Sequence, residues 1–326
     1  MATPPVQSAP VRRLAQGPLT APPQVDPFDG PLGCALTIDV EEWYHTCHEP
    51  DYVDPDRRPT LPRELDRLLP ALLELLAEHH CRATFFTLGE VAMELPARVR
   101  EIAATGHEVA CHGMHHLRVT DMQPRRFRAS LERAKSSLED LLGESVDGYR
   151  APEWSLRTIA NPRLRLVAEL GFCYDSSLAP CLGSGRRDNP RTASRLRWAD
   201  GEELLELPPL TFGGRWQLPA GGWPGRLAGW RVVADAAVAH RRSGGLPVLV
   251  AHPWELAARP VPGELTGLAR WIHEVGRDSF REGFPHLLAA LPWRSIREAI
   301  GEQTDVLPLP LREPDSAASS ALTTTV

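Results

Sequence analysis

Two apolar runs in this chain end in side chains that bind metal ions or move protons: Ala35-Leu36-Thr37-Ile38-Asp39-Val40-Glu41-Glu42 and Glu108-Val109-Ala110-Cys111-His112-Gly113-Met114-His115-His116. Carboxylates and imidazoles delivered together at strand ends suit one divalent ion with a water beside it, and so point to hydrolysis. His112 and His116 are four residues apart. On a helical turn leaving the strand, that spacing aims both rings to one side, each about 2.1 Å from an ion. Gly113 permits the tight turn, and His115 reads as the solvent-facing member of the trio. Strand alternation puts Asp39 and Glu41 on a common side with Val40 turned into the packing. One carboxylate then holds the ion and the other stays free as a base. Glu41 is assigned to the ion and Asp39 to the proton; the reverse, or Glu42 in place of Glu41, fits the same spacing.

A third apolar run, Val248-Leu249-Val250-Ala251, leads into His252-Pro253-Trp254-Glu255. His252 suits a general acid that protonates a leaving group. Arg150, within Gly148-Tyr149-Arg150-Ala151-Pro152-Glu153-Trp154, offers a rigid fork for orienting a carboxylate. Asp39 and Glu41 close the first strand, His112 the third, Arg150 the fourth, Asp175 the fifth and His252 the last. In a barrel of parallel strands, all of them converge at the carboxyl face.

The elements that must position these residues alternate along the chain. Leucines at helical spacing from Leu65 to Leu76 follow the first strand, and Ala83 to Leu88 makes the second. Helices are expected over residues 91–105, 124–142 and 162–170 and near residues 226–242. Further strands are expected at residues 107–111, 146–150, 172–174, 204–207 and 247–251. The pattern predicts an α/β fold, a distorted (β/α) barrel of about seven strands in a single domain, with an open doubly wound sheet as the alternative. Residues 1–30 read as a flexible leader, 31–311 as the catalytic barrel with a C-terminal helical extension, and 312–326 as a disordered tail. Residues 178–198 and 211–225 read as long loops over one end, where a substrate site forms. The 326 residues carry a net charge of −6 with no long basic run, so electrostatics offers no case for nucleic acid or membrane lipid as a partner. No apolar stretch has the length of a transmembrane helix or signal-peptide core, so a cytoplasmic location is expected. Six scattered cysteines without paired spacing fit buried free thiols.

The segments Thr37-Ile38-Asp39-Val40-Glu41-Glu42-Trp43, His112-Gly113-Met114-His115-His116, Arg150-Ala151-Pro152 and His252-Pro253-Trp254-Glu255 resemble, in order and spacing, the motifs of the polysaccharide deacetylase family, carbohydrate esterase family four with a NodB-homology domain. The Asp-Val-Glu form of the first motif, Tyr174-Asp175-Ser176-Ser177 and the His-Pro-Trp-Glu ending look like the subgroup associated with bacterial exopolysaccharide loci. The resemblance spans about residues 33–300. It implies a divalent metal, zinc first with cobalt, nickel or manganese as alternatives, held by His112, His116 and an acidic residue, Glu41 or in its place Glu42. It implies Asp39 as the base that activates a metal-bound water, Arg150 holding Asp39, His252 as the acid, and the backbone N–H of Glu153 at the oxyanion. Usual members carry two adjacent aspartates in the first motif, whereas here Val40 intervenes. The family's fourth motif, which buttresses the acid, has Asp175 as its nearest candidate. Trp43, Tyr44, Trp154, Trp223 and Trp254 are candidates to line a sugar-stacking cleft together with Glu153. The expected reaction is removal of an N-acetyl or related N-acyl group from an amino sugar, a glycan or an N-acylated small molecule. The alternative on the same metal site is hydrolysis of a cyclic amide or ureide, or deacylation of a natural-product intermediate.

Overall fold

The computed structural model describes residues 22–27, 33–47, 53–257 and 265–301. Seven parallel strands follow one another round the fold in chain order: β1 (Cys34–Val40), β2 (Thr84–Thr87), β3 (Glu108–Cys111), β4 (Gly148–Tyr149), β5 (Tyr174–Asp175), β6 (Glu203–Glu206) and β7 (Val248–Ala251), the last returning to pair with β1. This is the expected distorted α/β barrel, and its sheet stays open between β6 and β7. The reason is local. The free edge of β6 is taken by an antiparallel strand, Ser194–Arg197, which in turn pairs with Gln24–Pro27. A hydrogen bond from Leu210 N–H to the Val248 carbonyl, 2.8 Å, spans the gap in place of a ladder.

The edge strand Gln24–Pro27 corrects the reading of residues 1–30 as an unstructured leader. Residues 1–21 and 28–30 of that leader and the tail at 312–326 lie outside the described residues. Two other expectations change. Residues 91–105 form two helices, Gly89–Glu94 and Pro96–Ala104, because Pro96 disfavours helical backbone at Leu95. The two long segments read as loops contain, besides Ser194–Arg197, a small hairpin (Thr211–Phe212 with Leu218–Pro219) and a helix, Gly222–Ala228.

The helices cover the outer face of the sheet. In Leu65–Glu78, the side chains of Leu65, Leu68, Leu69, Leu72, Leu73 and Leu76 are all buried, as their spacing requires. Each contributes about 1.5–3 kcal/mol of apolar burial. The same main core takes in Phe127, Leu131 and Leu138 of the helix Pro124–Leu142, which ends at Gly143 in the left-handed conformation, φ 73°. Helices Gly267–Glu274 and Arg277–Ala290 come after the last of the seven strands. After them, Trp293–Arg294 runs parallel to the start of β1.

Strand register explains why the polar residues meet. Val40, Thr87, Cys111, Tyr149, Asp175 and Glu206 are successive partners in one row across the sheet. Glu41, His112, Arg150 and Ser176 each follow immediately after that row, so their backbones leave the sheet at one rim.

Candidate metal centre and active-site cleft

The rim opens into a cleft of about 590 Å³, with Asp39, Glu41, His112, His116, Arg150 and His252 in its wall. Glu41 lies between the two other donors: its Oε2 is 2.7 Å from His116 Nε2 and 3.7 Å from His112 Nε2. The three donor atoms lie within 4.8 Å of one another. Two imidazoles and a carboxylate at this spacing suit a divalent ion with an open position, so the residues fit the implied metal. Each ring is oriented from behind. His112 Nδ1 is 2.9 Å from the Arg150 carbonyl, which fixes its proton there and turns Nε2 to the centre. His116 Nδ1 is 3.6 Å from Cys47 Sγ, and that thiol donates to the His116 carbonyl at 3.1 Å.

The connection between the histidines differs from the expected helical turn. Residues 112–118 are irregular, with Gly113 at φ 86° and His116 at φ 48°, so the rings converge through left-handed kinks. His115 is not simply solvent-facing. Its Nδ1 bonds Glu90 Oε2 at 3.0 Å, and Glu90 also engages His45 and Arg58, behind the centre.

Glu42 faces the other way. Its carboxylate accepts from the N–H groups of Glu64 (2.9 Å) and Leu65 (2.9 Å), satisfying the otherwise orphaned start of the helix Leu65–Glu78. Burial pushes its pKa up to about 7, against those backbone bonds.

Asp39 Oδ1 receives Arg150 Nη1 at 2.6 Å, while Oδ2 is 3.9 Å from both His112 Nε2 and His252 Nε2. Arg150 is fully buried. It also donates to Thr37 Oγ1 (2.9 Å), the Ser176 carbonyl (3.2 Å) and Ser176 Oγ (2.9 Å), over the ring of Phe86.

His252 leaves β7 opposite the donor set. Its Nδ1 and its backbone N–H both meet Glu255 Oε2, at 3.0 and 2.9 Å, and Nε2 faces Glu41 Oε1 at 3.6 Å. Glu255 is in turn paired with the buried Arg226. Burial disfavours the charged imidazole, but Glu255 and Glu41 more than offset it and raise His252 to about 9. Burial likewise opposes ionisation of Glu41, yet His116, His252 and the bonds from both metal-side rings hold it well below the usual carboxylate range.

Asp175, the sequence candidate for buttressing His252, is elsewhere. It binds Ser177 and lies beside Glu206, and Glu255 occupies the buttress position. In the sequence, Glu255 stands only as the end of a motif with no part of its own, and Arg226 goes unmarked altogether; the i, i+3 spacing of His252 and Glu255 is the available signal.

Among the aromatic candidates, Trp254 and Trp154 line the cleft, and the Trp254 indole donates to Glu41 Oε1 at 3.3 Å. Trp43 and Tyr44 do not. Both are buried behind it in an apolar cluster with Val53, Leu61, Leu265 and Trp254 itself, where the Trp43 indole donates to the Pro62 carbonyl. The Glu153 carboxylate is engaged by Arg118 (2.6 Å) and the Cys47 N–H (3.2 Å).

A model of the polysaccharide deacetylase family matches residues 59–173. That stretch of the chain is similar to the polysaccharide deacetylases. A second model, described as a domain of unknown function (DUF3473), matches residues 176–301. The boundary between the two falls at β5, inside one continuous sheet, and the cleft draws on both: His112, His116 and Arg150 from the first stretch, His252 and Glu255 from the second. Asp39 and Glu41 precede both matches.

A peptidoglycan deacetylase of Helicobacter pylori is 33% identical over 110 residues, 34% of this chain and 36% of that protein. A chitooligosaccharide deacetylase of Sinorhizobium fredii is 38% identical over 104 residues, 30% of this chain and 48% of that protein. The chain thus spans between a third and a half of the length of these relatives. A crystal structure assigned to the polysaccharide deacetylases, from Mycobacterium smegmatis, shares the fold at TM-score 0.53 and 22% identity, covering 88% of this chain and 93% of that one.

Proposed function

We propose that this chain is a metal-dependent hydrolase that removes N-acetyl groups from amino sugars in a glycan, with Glu41, His112 and His116 holding the ion. One observation carries the reading: the free oxygen of Asp39 stands 3.9 Å from both a metal-side ring, His112, and the opposing ring, His252. Those distances support a proton acceptor working between the donor set and a proton donor. A divalent ion, zinc first given two imidazoles and a carboxylate, supplies Lewis acidity for the amide carbonyl and lowers the pKa of water when bound. Asp39 Oδ2 takes a proton from the attacking water, and its other oxygen stays fixed by Arg150. His252 Nε2–H delivers a proton to the departing amine, while Glu255 on Nδ1 supports the charged ring. The backbone N–H of Glu153 is assigned to the developing oxyanion.

The relatives named for peptidoglycan and chitooligosaccharides support an amino-sugar substrate, and the exopolysaccharide subgroup is the finer assignment we favour. Among the described residues, no helix is long and apolar enough to cross a membrane. All six cysteines are free, which supports action in a reducing, cytoplasmic setting.

Acetate release from N-acetylated oligosaccharides tests the proposal. Stripping divalent ions should abolish release and adding zinc back should restore it. Turnover that survives verified removal of the ion, or ring-opening of a cyclic amide with no acetate released, overturns it.

The cleft also has an aromatic lip. Trp223 lines the cleft and meets Trp271 at its exposed edge, with ring centroids 5.4 Å apart and tilted 57°. Apolar pyranose faces stack on such rings. The variant W223A/W271A is expected to lower kcat/KM about tenfold on a tetrasaccharide and leave the monosaccharide unchanged. Equal losses on both substrates would remove the lip from substrate contact.

A further inference from the structure

Two buried carboxyl groups near Arg150 have no part in the chemistry above. Asp175 on β5 and Glu206 on β6 are direct register partners, and neither is exposed to solvent. Asp175 accepts from the Ser177 N–H at 3.1 Å and from the Ser177 hydroxyl at 2.7 Å. Glu206 Oε1 accepts from the Leu178 N–H at 3.0 Å, whereas no donor among the described residues reaches Oε2. Two carboxylates facing each other out of water would combine desolvation with like-charge repulsion, and a single proton between them relieves both. Burial raises both groups. Glu206 rises further because Asp175 repels its charge, whereas hydrogen bonds from Glu206 and Ser177 hold Asp175 down.

The pair connects directly to the active-site arginine. The Ser177 hydroxyl has one proton; donating it to Asp175 leaves its oxygen to accept from the Ala151 N–H, 2.8 Å away, next in chain to Arg150. Ser176, between Asp175 and Ser177, accepts from Arg150 through both its carbonyl and its hydroxyl, and passes its own proton to the Leu207 carbonyl at 2.6 Å. Leu207 directly follows Glu206. The acid pair therefore adjoins Ser176, which fixes the Arg150 fork, and Ser177, which holds the backbone beside it, and that fork holds Asp39.

We propose that Glu206 is an un-ionised carboxylic acid at neutral pH, donating through Oε2 to Asp175, and that the pair positions Arg150 and through it Asp39. Both are positioning residues, and this part of the proposal rests on Asp39 being the base. Glu206 lies in the stretch matched by the model of unknown function, so the inference gives that stretch a part in the chemistry beyond His252.

Infrared difference spectroscopy between the metal-loaded wild type and Glu206→Gln should show one un-ionised carboxylic acid carbonyl stretch at neutral pH, lost in the variant. Gln keeps a donor toward Asp175 and an acceptor for Leu178, so Glu206→Gln should retain kcat within about twofold. Glu206→Leu, of similar size without a donor, should lose kcat about tenfold with KM and bound metal unchanged. An infrared band that is missing in the wild type or persists in Glu206→Gln overturns the protonation whatever the substrate is. Wild-type kcat in Glu206→Leu overturns the positioning part. A wild type that shows the band but releases no acetate leaves the buried acid standing and overturns the functional reading instead. If Glu206→Leu does not fold, loss of kcat in Glu206→Gln with metal and melting temperature intact would equally overturn the proposal, since the conservative change should rescue.

Discussion

Asp39→Asn is expected to lower acetate release by about 10³-fold while the purified protein keeps a stoichiometric divalent ion. Glu41→Gln is expected to lose ion and turnover together. The difference follows from how each carboxylate is held. Asp39 commits one oxygen to a buried charged bond with Arg150, and an Asn oxygen there still accepts that bond. What the amide cannot do is take a proton at neutral pH, so the step that fails is the one assigned to Oδ2. Glu41 is the carboxylate in contact with the imidazoles, 2.7 Å from His116 Nε2, and the Trp254 indole fixes its other oxygen. Its removal takes a negative charge from the donor set itself. Metal analysis beside turnover separates the two. Loss of the ion in Asp39→Asn with retention in Glu41→Gln would exchange the two roles. Glu42→Gln should alter neither measurement and should lower stability by about 1 kcal/mol, through the start of the helix Leu65–Glu78.

That Asp39 and Glu41 share a side was legible in strand alternation, although Glu42 in place of Glu41 fitted the same spacing. What Glu42 does instead was not. The helix it serves begins at Glu64 without a side-chain cap of its own, so the orphaned N–H groups are met by a carboxylate 22 residues earlier. Non-local partners account for the other misses too. Gln24–Pro27 has no strong strand pattern and becomes a strand only against Ser194–Arg197, the strand that takes the free edge of β6 and keeps the barrel open. Trp43 and Tyr44 adjoin the first motif, but a substrate contact required knowing that their side chains turn into a cluster with Leu61 and Leu265. The seven strands themselves were readable because most are, or adjoin, short apolar runs, and their ends carry the chemistry because the register brings them to one rim.

The partner of His252 sits three residues along the chain, and its removal should have a distinctive signature. Glu255→Gln is expected to lower kcat about 10²-fold and move the alkaline limb of the pH profile to lower pH, with bound metal unchanged. Burial alone would keep His252 neutral, and the charge of Glu255 does most to restore the proton, taking the ring to about 9. An ion at Glu41 opposes this and draws the ring back toward neutrality, so without Glu255 the acid would be spent at neutral pH. An unmoved alkaline limb would sink this assignment.

Glu255 is itself sustained by Arg226. Burial would raise the Glu255 carboxyl, but Arg226 and His252 overcome it and hold the group at about 2, below the ordinary 4.5. Because the folded value is depressed, the pair's stabilisation is present above about pH 4.5 and lost as pH falls through 2, about 3 kcal/mol in all. Arg226→Met strands a buried carboxylate and should destabilise the fold by about 3–5 kcal/mol in urea unfolding at pH 7. Adding Glu255→Gln to Arg226→Met should recover part of that stability and none of the activity. That outcome would separate the arginine's work in keeping Glu255 ionised from the work Glu255 does on His252.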